Sequence, residues 1–334
     1  MNARRIGWTV LCGLLVLGGA ATGQGLGVGR GVDHVASLVR LENFDPAMNV
    51  LTQQLGFSAT TTLVSPFGAK NRLIWFNDLS YLEVDAFTEL NDFTAPFLDF
   101  LAHHEGAKFY GTEVLNAAQA ATFLTNAGYS NTGLIPASPL TVESTGQVVG
   151  TTPLWQEIVL LSPLAPDNSN FFLDYDEAQV QQMFFQVPAL APRPHANTAK
   201  KIHTVWLVVS NLDSAVAFYE GLGLKVHSRH KRIDYLGARA AVVRYPHGDT
   251  VTLLEPDGPG LAADFAADRG EGILGVSIEV ADLHTAQSLI HHNTGLPLHI
   301  FDSRGRDRFL IPASLTHGVL IEMVEEPEHG HHGR

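Results

Sequence analysis

Ile202-His203-Thr204-Val205-Trp206-Leu207-Val208-Val209 runs into Asn211-Leu212-Asp213-Ser214-Ala215 and closes at Gly221-Leu222-Gly223-Leu224. A continuous apolar run bounded by polar residues reads as a buried strand. Ala215, Phe218, Tyr219 and Leu222 then recur on one helical stripe, and a glycine stops the helix. Strands around Ala240–Arg244 and Thr250–Leu254 complete a strand–helix–strands unit. The same order returns further on. Asp282-Leu283-His284-Thr285-Ala286 lines up with residues 211–215, Gly295-Leu296 with Gly223-Leu224, and Val319–Val324 is a final strand. Repetition at this length implies paired modules sharing a sheet.

The pattern extends backwards. Val32–Val39 reads as a strand, and a helix spans Pro46–Leu55 with Ala47, Val50, Leu51 and Leu55 on one face. Pro46 suits a first helical turn, and Gly56 a position just past the end. Strands follow around Ala59–Val64, Arg72–Phe76 and Tyr81–Phe87. A second unit has a strand near Lys108–Tyr110, a helix marked by Ala117, Ala120, Ala121 and Leu124, and strands around Gln156–Leu161 and Phe171–Tyr175. Residues 186–199 carry Pro188, Pro192 and Pro194 and read as a linker. The division is therefore residues 30–185, a linker at 186–199, and residues 200–326, ahead of a His-rich tail at 327–334 that contains His329, His331 and His332. That tail has two readings, a solvated end and a weak metal-capturing one.

At 334 residues, 45% hydrophobic, the chain has the length and apolar content for two cored domains. Its 34 acidic against 21 basic side chains argue against nucleic acid or an anionic lipid surface as partner. Arg4 and Arg5 precede an apolar run from Ile6 to Leu17, with small residues through Gly23. That pattern reads as a signal peptide over residues 1–23, hence an exported protein with no membrane span after cleavage. Cleavage would remove Cys12, the only cysteine, and take the formal charge from −13 to about −15. Disulfide and thiol chemistry would leave with it. Gly25-Leu26-Gly27-Val28-Gly29 precedes a strand instead of following one, so it is no dinucleotide fingerprint.

A βαβββ unit occurring in pairs, with His on its first strand and Glu on its last, resembles the vicinal oxygen chelate superfamily of glyoxalase, bleomycin-resistance and extradiol-dioxygenase proteins. Asp33-His34-Val35, Asn71-Arg72-Leu73-Ile74-Trp75-Phe76, Tyr81-Leu82-Glu83-Val84 and Phe171-Phe172-Leu173-Asp174-Tyr175 resemble the glyoxalase-like domain subfamily. The second half resembles a general member. The resemblance covers roughly residues 30–326. It implies an α+β fold of four βαβββ modules, paired into two half-barrel domains, and a small-molecule ligand or substrate.

What it implies for chemistry is a divalent metal (Zn, Fe, Mn or Ni) held by imidazole and carboxylates and polarising chelated substrate oxygens. The first-half candidates are His34, Glu83 and Asp174, with Glu83 also the candidate catalytic base. The second-half candidates are His203, Glu255 and Glu322. Helix alignment sets Leu274 opposite His203, so a complete extradiol triad is absent. No histidine aligns at the first strand of the second unit; His103 and His104 come too early. Strand alternation puts Tyr81, Glu83 and Asp85 on one face, and pairs Leu253 with Glu255 and Leu320 with Glu322. Arg72 has two readings, an anchor for an anionic substrate in the cavity or a partner of Asp78 or Glu83. Trp75 and Tyr81 are candidate cavity walls or core. Two functions follow, a metal-dependent lyase or isomerase and a metal-free sequestering protein.

Overall fold

The computed structural model describes residues 26–92, 94–161, 170–246, 248–303 and 305–327. The signal-peptide segment and the His-rich end of the tail lie outside the described residues.

In the first half, β1 (Val28–Leu38) leads into α1 (Phe44–Asn49), which widens into a further turn at Val50–Gln54. Strands β2 (Leu63–Val64), β3 (Ala69–Trp75) and β4 (Tyr81–Phe87) follow. Helix α2 (Ala95–His103) joins this unit to the next. That unit holds β5 (Gly106–Val114), α3 (Ala117–Asn126), β6 (Ile135–Pro136), a hairpin of β7 (Leu140–Val142) and β8 (Val148–Val149), then β9 (Trp155–Val159) and β10 (Asn170–Tyr175). Helix α4 (Glu177–Gln186) closes the half. Its strand order is β6-β9-β10-β5-β1-β4-β3-β2-β7-β8. The two units meet where β1 and β5 run antiparallel. The hairpin of the second unit crosses to pair with β2 of the first, Leu63 opposite Val142.

The second half repeats the plan with β11 (Ala199–Val208), α5 (Leu212–Gly221), β12 (Lys225–Ile233), β13 (Ala238–Arg244) and β14 (Thr250–Pro256). Helix α6 (Leu261–Arg269) joins it to β15 (Gly272–Val280), α7 (Leu283–Thr294), β16 (Phe301–Asp302), β17 (Asp307–Ile311) and β18 (Leu320–Glu325). The order is β12-β13-β14-β11-β15-β18-β17-β16. The four modules in two curled sheets are the α+β architecture the family resemblance implies.

The helices start where the caps put them. Asn116, Asn211 and Asp282 each accept a hydrogen bond from the backbone N–H three residues on. Their apolar stripes, such as Ala215, Phe218 and Tyr219, join one core cluster that runs through both halves. Across the junction the Tyr110 and Tyr219 hydroxyls bond to each other, and Thr112 Oγ1 lies 3.1 Å from the Tyr245 hydroxyl.

The linker is built into the fold. His195 Nδ1 accepts from the Ser58 N–H at 2.9 Å, which leaves Nε2–H to donate to the Trp75 carbonyl, also at 2.9 Å. Asn197 is buried and donates to the Leu55 carbonyl at 2.8 Å.

Each concave face is covered by a helix, α4 in the first half and α6 in the second. Val180, Met183 and Phe184 of α4 pack on Trp75 and Tyr81, and Ala262 and Phe265 of α6 pack beside Trp206.

Candidate functional site

Parallel pairing of first and last strands puts one diagonal pair of side chains at the same place in each module. In the first module Ala36 pairs with Glu83, and His34 lies two residues before Ala36. His34 Nε2 stands 3.6 Å from Glu83 Oε2. In the second, Gly111 pairs with Phe171, so the diagonal is Phe109–Phe171, their rings 6.4 Å apart. In the third, Trp206 pairs with Thr252, and Thr204 Oγ1 lies 3.0 Å from Thr252 Oγ1. In the fourth, Ser277 pairs with Glu322, and the diagonal partner is Gly275. Of the four, only the first brings a histidine to a carboxylate.

The surroundings of that pair form one network. Asp33 accepts from His34 Nδ1 at 2.5 Å and from the Tyr175 hydroxyl at 2.9 Å. The Tyr175 and Tyr81 hydroxyls are 3.1 Å apart, and the Tyr81 ring stacks on His34 at 4.4 Å. Asn71 donates to Glu83 Oε1 at 2.7 Å and sits opposite Asp85 in the ladder. Asn71 Oδ1 and Trp75 Nε1 are buried and have no partner among the described residues. Gly111 makes room: a Cβ there would stand 2.8 Å from Leu173 Cδ1 and 3.0 Å from the His34 ring.

The electrostatics pull the groups apart. Burial, then the charge of Asp85, pushes Glu83 up to about 8, against the lowering by His34. Burial pushes Asp85 up to about 7. Burial alone would lower His34, but the Asp33 hydrogen bond and the charges of Asp33, Glu83 and Glu157 reverse it, so its pKa is raised. Glu83 keeps 15% side-chain exposure and His34 4%, so the carboxyl is the part a ligand meets.

The other candidates are not brought to this place. Asp174 faces away and accepts from the Ala117 N–H at 2.9 Å, serving the start of α3. Arg72 alternates away from Asn71 and Leu73, and its Nε donates to the Thr60 carbonyl at 2.7 Å. It pairs with neither Asp78 nor Glu83. His203 is one residue out of register with His34, whose counterpart is Thr204; a one-residue offset sends a side chain elsewhere. It lies 3.3 Å from Arg306 Nη1 and 4.0 Å from Glu279, and burial followed by the Arg306 charge pushes it down to about 3. Glu255 shares the face of Leu253, which is the helix-packing side, and pairs with Arg239. Glu322 is buried on the concave face and fully engaged by Ser277, by the Tyr235 hydroxyl at 2.8 Å and by Arg308 at 3.1 Å. His203, Glu255 and Glu322 therefore do not converge. Trp75 and Tyr81 do line the first-half face, with rings 4.3 Å apart.

A metal needs about three protein ligands. The first half supplies His34 and Glu83, while Phe109 and Phe171 occupy the matching positions of the second module. Among the described residues no group of three or more His, Cys, Asp or Glu side chains is arranged for a metal ion. The donor set does not fit the metal centre that the resemblance implies.

The profile of the glyoxalase-like domain family matches residues 32–223, more than half of the chain and past the linker into α5. The chain belongs to the glyoxalase-like domain family. Solved structures agree on the fold. This glyoxalase-like chain superposes on a triple mutant of 4-hydroxymandelate synthase from Streptomyces coelicolor with a TM-score of 0.61 and 14% identity, covering 92% of this chain and 95% of that one. A hypothetical protein from Staphylococcus aureus gives 0.55 at 10% identity, covering 88% and 98%. A xylose isomerase-like TIM barrel/4-hydroxyphenylpyruvate dioxygenase fusion protein gives 0.57 at 15% identity, covering 91% and 50%. At these identities the likeness is one of fold, the vicinal oxygen chelate fold. No curated protein matches the chain.

Sequence reasoning missed Asp33, Tyr175 and Asn71. The Asp33-His34 dipeptide was the available signal, since a carboxylate beside a histidine orients its ring.

Proposed function

We propose that the protein binds a small organic molecule over the concave face of its first half, and that Glu83 exchanges a proton with it. The observation carrying this is a carboxyl raised to about 8 beside an imidazole also raised, two acid–base groups poised on either side of one proton. With its carboxyl at about 8, Glu83 is shared near neutral pH between a protonated form and a carboxylate; the carboxylate takes the proton from the carbon next to the carbonyl, and the acid so formed returns it. Once it has given that proton up, its charge faces His34 at 3.6 Å, and Asp33 steadies the imidazolium. Asn71 Oδ1 and Trp75 Nε1 suit a ligand that offers one donor and one acceptor. The reaction class is a proton shift next to a carbonyl, as in a lyase or isomerase, with no step routed through a metal.

The test is hydrogen–deuterium exchange at the carbon next to the carbonyl in a panel of small 2-oxo and 2-hydroxy acids, followed by proton NMR. Exchange in the wild type that is lost in Glu83→Gln supports the reading; equal exchange in both overturns it. A second reading, a sequestering protein, is favoured by the apolar cover of Val180, Met183 and Phe184. Ligand binding without exchange in either protein would establish it.

Export is part of the same proposal. Among the described residues no helix is long and apolar enough to cross a membrane. Leu26, three residues beyond Gly23, is buried in the core, so cleavage near Gly23 spares the described fold. N-terminal sequencing of protein recovered outside the cytoplasm checks it; an intact Met1 would overturn it.

A further inference from the structure

On β3 alternation sends Asn71 and Trp75 to the concave face and Arg72 to the opposite one. There Arg72 shares the lining of a groove with Arg193, from the linker, and feels its charge. Arg72 Nε donates to the Thr60 carbonyl at 2.7 Å, and Arg193 Nη2 donates to the carbonyl of Ala59. Two guanidiniums are thus anchored on the carbonyls of consecutive residues. Both line a groove of about 460 Å³ whose wall also includes Asp45, Asn49, Gln53 and Ser58. Neither arginine is in ion-pair contact with a carboxylate among the described residues. Asp45 favours the Arg72 charge from a distance only, while burial and the charge of Arg193 oppose it. Like charges held together without a counter-charge are costly, and a guanidinium fork matches a carboxylate or phosphate in geometry.

We propose that this groove binds a small oxyanion, the carboxylate or phosphate group of a small molecule, bridged between Arg72 and Arg193. The bridge would join β3 to the linker, and it lies on the reverse side of the strand that carries Asn71 and Trp75. It is a site separate from the Glu83 face.

The experiment is a thermal-shift and calorimetric titration of the full chain with inorganic phosphate, acetate and chloride at constant ionic strength. Phosphate, acetate or both should give a saturable rise in Tm that chloride does not, and which of them does so names the group. Arg193→Gln should weaken that binding at least tenfold; Arg193 is exposed, so this variant should fold. Arg193→Lys should restore part of it, and Asp45→Asn should tighten it. A shift matched by chloride, or an affinity unchanged in Arg193→Gln, would overturn the proposal. Glu83→Gln should leave the titration as it is, which separates this site from the proton-exchange one.

Discussion

The two halves share a fold and treat the same position in opposite ways. At the diagonal between first and last strands, the first half sets His34 against Glu83 and surrounds them with groups whose proton affinities have moved. The second sets Thr204 against Thr252, two hydroxyls that satisfy each other. Its buried carboxylate Glu322 is neutralised by Arg308 and capped by Ser277 and Tyr235. A repeated module keeps its packing because every copy must bury a helix stripe; it keeps a titratable pair only where something uses it. The second half reads as a scaffold with a closed polar network, the first as the working half.

That contrast can be broken from either side. Arg308→Met would strand Glu322 in the core and should cost about 3–5 kcal/mol in urea unfolding. Adding Glu322→Leu should recover most of it; if Arg308→Met alone is harmless, the network is not structural. His34→Ala removes the stacked ring over Tyr81 and leaves Asp33 without its imidazole, and should cost about 2–4 kcal/mol by the same measurement. Phe171→Glu would put a third donor beside His34 and Glu83. Calorimetry with Zn²⁺ should then show affinity at least about tenfold above wild type, roughly 1.4 kcal/mol; an unchanged isotherm would mean that Phe171 is not what keeps the site from binding metal.

The pH dependence gives a smaller effect of definite sign. Glu83 rises from the ordinary 4.5 to about 8, so the folded state keeps a proton that the unfolded state has lost. Its contribution to stability therefore falls as pH rises from 4.5 to 8, and that of Asp85 falls between 3.8 and about 7. Glu83→Gln should flatten this slope and be more stable than wild type at pH 8 by on the order of 1 kcal/mol, with little gain at pH 4. Parallel curves from thermal melts would refute the assignment. Smallest of all, Glu255→Gln should change stability by less than about 0.5 kcal/mol, because its pair with Arg239 lies near the surface.

The modules were legible because caps, apolar stripes and terminal glycines recur at matched positions, as at Asn211 and Asp282. Register was not. His203 and Thr204 are neighbours in an irregular stretch of β11, where the pairing with β15 shifts between Ile202 and Thr204. No sequence pattern says which of the two takes the place of His34. For Glu255 the alternation with Leu253 was read correctly, but which face holds the helices is a tertiary fact. Asp174 acts on a backbone N–H more than fifty residues away in sequence, beyond any local pattern. Helix α4 was readable in principle, since Val180, Met183 and Phe184 follow an Asp176 cap at helical spacing.

The crossing hairpin of β7 and β8 sets an order of assembly. Its partner β2 lies roughly 80 residues earlier, so this contact closes a long loop and must be made late. The first module has to present a finished β2 edge before the hairpin can dock, and until then that edge is open to pairing with another chain. A chain emerging from its N-terminus completes the receiving edge before the docking strand exists. Circular permutation that opened the chain between β4 and β5 would reverse that sequence and should slow refolding, and raise aggregation during it, while leaving the native contacts in place.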